Sequence, residues 1–223
     1  LDGETAEYYD SIIVGLRGLG LRPDHHDGHP VKWRRIGTHR GARLQVEFLC
    51  PARGRAGRPE APAESTTAEL NIGPTDEITA LAVGFGHLVA SDTVMIERTV
   101  DTSRGRLLYE FPVAGVASWL CLKTDAIMRR DKPKDAYDVV WLISALGPQT
   151  AARQVLGSPL LNDDTGDEVL AQLGRLAGQF ADIDSVGPRS FADFTAGESR
   201  AGDLRFAVGA VSQFWQVIRD GYR

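Results

Sequence analysis

Five charged side chains lie close enough along the chain to act together: Lys123, Arg129, Lys134, Asp135 and Asp138. The last three fall in KPKDAYD, residues 132–138, a run of two ammonium groups, two carboxylates and a phenol between two apolar helical stretches. Lys123 is the informative residue. It follows the apolar run Trp119-Leu120-Cys121-Leu122, where a lysine needs a reason. A part-buried lysine beside an acid stays charged and is held in place. Asp135 or Asp138, entering from the next helix, can be that acid, and the pair would present a fixed ammonium to a triphosphate. The same residues could instead form a structural ion pair at a helical elbow. Lys123 and Arg129 do not face alike on one helix, whereas Ile127 and Arg130, at i+4 and i+7, lie closer to Lys123 in angle.

Other clusters carry weaker signals. Residues 32–58 hold Lys32, Arg34, Arg35, Arg40, Arg43, Arg53, Arg55 and Arg58 against one acid, Glu47. Such a patch attracts phosphate even on a chain of net charge −5, or it is a solvated hairpin and loop. His25, His26, Asp27 and His29 are metal ligands by type, but their spacing fits no metal pattern, and Asp27-Gly28 marks a turn. The glycines of GLRGLG, residues 15–20, close a helix and so read as structural.

The elements that must position these groups follow from periodicity. Residues 4–19 form an amphipathic helix through Tyr9, Ile12, Ile13, Leu16 and Leu19, with Asp2 available as cap and Gly20 as stop. Strand-like runs follow at 31–36 and 43–50. In the second, Leu44, Val46 and Phe48 face one way, and Arg43, Gln45 and Glu47 the other. Residues 51–66 are rich in Pro, Ala, Gly and Arg and read as a mobile loop. Short strands are expected within 68–100 and at 106–114, with 78–90 ambiguous between helix and strand. Helices are expected at 118–130 and 136–146, with Pro133 in or just before the first turn of the second, then at 165–180 and 202–219. This is an α+β chain: a sheet-containing lobe over 1–115 and a helical lobe over 116–223.

At 223 residues the chain can bury one sizeable core, and its 43% apolar and 25% charged residues are ordinary for a globular protein. No apolar run approaches the roughly 20 residues of a transmembrane helix, and no signal-peptide pattern opens it. Cys50 and Cys121 lie far apart with no CxxC pair, which predicts a reducing, cytoplasmic setting.

The run SWLCLKTDAIMRRDKPKDAYDVVWLI resembles the C-terminal motif of the AbiEii-like and MenT-like nucleotidyltransferase toxins, of the DNA polymerase β-type superfamily. The matching positions are Lys123, Arg129 or Arg130, Lys134, Asp135, Tyr137 and Asp138. RLQVEFLCP resembles the strand that bears the third metal-binding acid, here Glu47 where the family more often has Asp. The order of elements is similar over roughly residues 1–146. The resemblance implies a nucleotidyltransferase-like mixed-sheet lobe and an Mg²⁺-dependent enzyme that moves NMP from an NTP to an RNA acceptor, a tRNA 3′ end, with a cognate antitoxin as partner. In that scheme Lys123 contacts the triphosphate, and Asp135 and Asp138 orient Lys123 and Arg129. Lys134, Arg35 and Arg43 add substrate contacts, and Glu47 ligates metal. The family's Gly-Ser turn and Asp-x-Asp strand are not found in this chain; by the family's order they are expected just before the first helix, so they lie upstream of Leu1 or are absent. A non-catalytic nucleotide- or protein-binding member of the same fold is the alternative.

Overall fold

A computed structural model describes residues 3–26, 29–36, 43–51, 69–71, 79–102, 105–162, 164–197 and 199–222. The chain forms two compact units, Leu1–Gly86 and His87–Arg223.

In the first unit, α1 (Gly3–Gly18) buries Ile13 and Leu16 against Leu21 and Trp33, with Tyr9, Ile12, Val46 and Phe48 packed around them. The helix stops as its glycines predict. Gly20 turns to φ +76°, its N–H reaches the Arg17 carbonyl, and the Leu21 N–H reaches back to Leu16. This pairing satisfies carbonyls that the helix end would otherwise leave open. Strands β1 (Arg22–His26), β2 (His29–Ile36) and β3 (Arg43–Val46) make an antiparallel sheet in that order. A second sheet has the order β4 (Phe48–Pro51), β6 (Thr79–Val83), β5 (Glu69–Asn71), with β4 parallel and β5 antiparallel to β6.

The expected strand over 43–50 is therefore two strands. Val46 pairs with Trp33 in one sheet and Phe48 with Ala80 in the other. Glu47 is the residue at which the chain changes sheets, and it is exposed. Leu44, expected to face inward with Val46 and Phe48, is also exposed. Asp2, the Asp27-Gly28 turn and most of the 51–66 loop lie outside the described residues, as do the side chains of the histidines that flank the turn.

The second unit opens with a 3-10 turn (Gly86–Ser91) and a hairpin of β7 (Thr93–Thr102) and β8 (Gly105–Ala114). Among the described residues, seven helical segments follow: α2 (Val116–Arg129), α3 (Pro133–Leu146), α4 (Pro148–Leu156), a 3-10 turn (Pro159–Asn162), α5 (Gly166–Gln179), α6 (Val186–Thr195) and α7 (Arg200–Gly221). The central helix is α3, packed on α2, α4, α6 and α7. Its Val139, Val140 and Ile143 are buried in the same helical unit as Leu120 of α2, Leu173 and Leu176 of α5, Phe214 of α7, and Phe180. Each such side chain contributes about 1.5–3 kcal/mol on leaving water.

The expected division after residue 115 differs from the compact units, which divide after Gly86. The reason is Asp92. Its carboxylate is buried, accepts from the Ser118 N–H at 2.8 Å and the Ser158 hydroxyl at 2.8 Å, and so ties the foot of the hairpin to the helices. The mixed α+β class and the helical C-terminal region are as the periodicity predicts.

Candidate functional site

The site is built at the elbow between α2 and α3. Helix α2 ends at Arg129, and Arg130 is extended, with φ −139° and ψ 139°. Lys132 is also extended, as the residue before a proline must be. Pro133 then opens α3 at its first turn, where its missing N–H costs nothing. This short, fixed connection lays the first turn of α3 beside the last turns of α2. It brings Asp135 and Asp138, three apart and on one face, up to Lys123.

The Lys123 ammonium donates to Asp135 Oδ1 at 3.0 Å and to Asp138 Oδ2 at 2.6 Å. The ion pair expected from the apolar setting of Lys123 thus forms with both acids. Arg130 grips Asp135 from the other side, Nε to Oδ2 at 2.7 Å and Nη2 to Oδ1 at 2.9 Å. Lys134 donates to both oxygens of Asp138, at 2.8 and 2.7 Å. The Trp119 ring lies one turn before Lys123, with its centroid 5.6 Å from Nζ, close enough for a cation–π contribution.

Burial sharpens these contacts. The Asp135 side chain is only 3% exposed, and that of Lys123 21%. Burial pushes the Asp135 carboxyl up, but hydrogen bonds from Arg130 and Lys123 and the charge of both cations outweigh it and hold the group below its ordinary value. Three cations, Lys123, Arg130 and Lys134, face two carboxylates, which leaves one net positive charge at the elbow. An ammonium has three donors. Two of those on Lys123 are spent on the aspartates, and the third remains for a ligand oxygen.

The other sequence-predicted residues lie elsewhere. Arg129 does not join the network. It pairs with Asp125, one turn back, at 2.6 Å. At 3.6 residues per turn, residue 130 returns to the face of Lys123 and residue 129 does not, so Arg130 takes the role expected of Arg129. Glu47 stands at the break between β3 and β4 and accepts a hydrogen bond from the Gln45 amide. In backbone register, Arg35 pairs with Leu44 and Arg43 with Ile36; their side chains lie outside the described residues. Tyr137, the phenol of the motif, stacks on Phe191 and tilts against Phe194, and so anchors α3 to α6.

No three His, Cys, Asp or Glu among the described residues come together as a metal site. Both oxygens of Asp135 and both of Asp138 accept hydrogen bonds from cations. Among the described residues no helix is long and apolar enough to cross a membrane. No family model, no curated protein and no solved structure matches the chain.

Proposed function

We propose that this chain belongs to a nucleotidyltransferase of toxin–antitoxin type, with a nucleotidyltransferase-like fold, which moves NMP from an NTP to RNA, a tRNA 3′ end, in the cytoplasm. The observation that carries the proposal is the Lys123 ammonium fixed between Asp135 and Asp138 with one donor left over. Transfer of a nucleotidyl group is mostly positioning and charge stabilisation. A lysine kept charged by two acids can hold a triphosphate oxygen without reorganising. Asp135 and Asp138 are positioning residues here, Arg130 locks Asp135, and Lys134 supports Asp138. Mg²⁺ and a cognate antitoxin belong to the proposal through the sequence resemblance alone, as do the contacts of Arg35 and Arg43 with RNA and the metal role of Glu47.

A second reading is a nucleotide-binding protein without catalysis, which the same geometry supports, because a fixed ammonium holds a phosphate oxygen whether or not a transfer step follows.

The test is a transfer assay on the full natural chain with Mg²⁺, each α-labelled NTP in turn and total RNA, beside Lys123→Ala and Lys123→Arg. Label in RNA that falls roughly 100- to 1,000-fold in Lys123→Ala, with both variants folded by circular dichroism, supports the enzyme. Nucleotide binding that depends on Lys123 without any transfer supports the second reading. Loss of stability in Lys123→Ala with no effect on nucleotide rejects both.

A further inference from the structure

A groove of about 660 Å³ runs along the outer side of the elbow, between the end of α2 and α6. Its volume is that of a small-ligand site. Lys123 does not line it. The α6 wall consists of Val186, Arg189, Ser190 and Asp193, spaced i, i+3, i+4 and i+7 so that they share one face. The facing wall includes Met128, Arg129, Arg130, Asp131 and Lys132, and Arg200 closes one end.

The lining has five cations and two acids, and two further acids just outside it, Asp125 and Asp135, pair with Arg129 and Arg130, which leaves one net positive charge at the groove. Three of the cations are committed: Arg129 to Asp125, Arg130 to Asp135 and Arg200 to Asp193. Lys132 from the elbow and Arg189 from α6 have no carboxylate partner among the described residues. They approach the groove from its two walls. Asp131 opposes them, though with a single charge. Between these cations the groove exposes apolar surface, with Met128 49% and Val186 48% accessible. Free cations on two walls suit a phosphate oxyanion, which accepts from several donors at once. Exposed methyl and thioether groups beside them suit the body that carries the phosphate.

We propose that this groove binds a nucleoside phosphate, its phosphate between Lys132 and Arg189 and its base or sugar against Met128 and Val186. The site is separate from Lys123 and stands whether or not Lys123 serves a transferase. The shared chemistry is a phosphate ester on an apolar body, which can be a free nucleotide or the terminal unit of a single strand of RNA.

Binding to the full chain would be measured calorimetrically in EDTA, with adenosine 5′-monophosphate, pyrophosphate, a 5′-phosphorylated RNA hexamer and hexaglutamate as probes. Lys132 and Arg189 are exposed, so Lys132→Ala/Arg189→Ala should melt as the natural chain does. The double variant is expected to bind the monophosphate and the hexamer roughly tenfold more weakly. Its salt slope for the hexamer should fall by about 0.7, since the two cations together neutralise one single-strand phosphate. Met128→Ser should weaken the monophosphate and leave pyrophosphate unchanged. Hexamer affinity far above that of the monophosphate identifies RNA as the source, and similar affinities identify the free nucleotide. Unchanged binding in the double variant, no binding of any phosphate probe at millimolar concentration, or equal affinity for hexaglutamate would each overturn the proposal. Each titration is run in both the natural and the Lys123→Ala background, so that phosphate held by Lys123 is not counted as groove binding and the two readings fail separately.

Discussion

Arg130 and Asp135 meet in a two-pronged contact across the turn that joins α2 to α3, Nε to Oδ2 at 2.7 Å and Nη2 to Oδ1 at 2.9 Å. The planar guanidinium covers one side of a carboxylate that Lys123 holds from the other. A lysine at position 130 would offer a point charge in place of two parallel N–H donors. The elbow is thus closed by geometry as well as by charge, and this is what keeps Lys123 in place.

Asp135→Asn should therefore expose the cost of stranding its partners. With the carboxylate gone, Arg130 and Lys123 face a neutral amide in a setting only 3% exposed. The loss should be about 1–2 kcal/mol at neutral pH, less than for a fully buried pair because Arg130 is partly solvated and Lys123 keeps Asp138, read as a lower urea midpoint. The pH profile gives the sign. The folded chain holds Asp135 below its ordinary value of 3.8, so near that pH the unfolded chain binds more protons. Stability from this group is complete above 3.8 and is lost as pH falls below it toward the folded value. The natural chain should weaken through that window more steeply than Asp135→Asn. Parallel profiles would show that Asp135 contributes nothing there.

Asp92 and Gly115 should be energetically coupled. Gly115 precedes α2 and offers no side-chain cap; Asp92, from the foot of the hairpin, supplies one to the Ser118 N–H. A Cβ on Gly115 would lie 2.4 Å from the Asp92 carboxylate. The backbone there has φ −67° and ψ 168°, open to any residue, so only the clash opposes alanine. Gly115→Ala should cost about 1–3 kcal/mol, and Asp92→Ala a similar amount, because its hydrogen-bond donors are left unsatisfied. In the Asp92→Ala background the cost of Gly115→Ala should largely vanish, because the clashing group is gone. Strict additivity in a double-mutant cycle would argue against this account of the clash.

The two cysteines should react in sequence. Cys121 is wholly buried in α2; burial, with the charges of Glu168 and Asp92, pushes its thiol far up. Cys50 is half-buried. Since the thiolate is the reactive form, iodoacetamide at pH 8 should label Cys50 first in the native protein and reach Cys121 only after denaturation. Mass spectrometry would detect it, and rapid native labelling of Cys121 would contradict the packing of α2.

Much of the elbow is legible in the sequence because it is local. Pro133, the helical period and a lysine inside an apolar run place Lys123, Asp135 and Asp138 within sixteen consecutive residues. The helical phase even marks Arg130, seven residues on from Lys123, as better placed than Arg129. What cannot be read comes from distant pairings. The break at Glu47 exists because Phe48 pairs with β6, whose sequence lies beyond a long intervening segment. The hydrogen bond from Ser158 to Asp92, which joins the hairpin to the helices, spans 66 residues. Arg189 reaches the groove only because Tyr137 packs on Phe191 and Phe194 and sets α6 against α3, and no spacing within either helix announces that packing.

The β7–β8 hairpin sets a condition on how this protein stays dispersed. Its strands are ten residues each, and Val94, Met95, Leu108, Tyr109 and Phe111 are all exposed on it. A bare apolar ribbon invites another ribbon to add to its edge. Along it, Glu97 stands directly opposite Glu110, Arg98 opposite Tyr109, and Asp101 binds Arg106. The facing glutamates weaken the hairpin locally, yet they put like charge where a second copy would have to settle. Colloidal lifetime in this protein is thus guarded by a few gatekeeper charges on one ribbon.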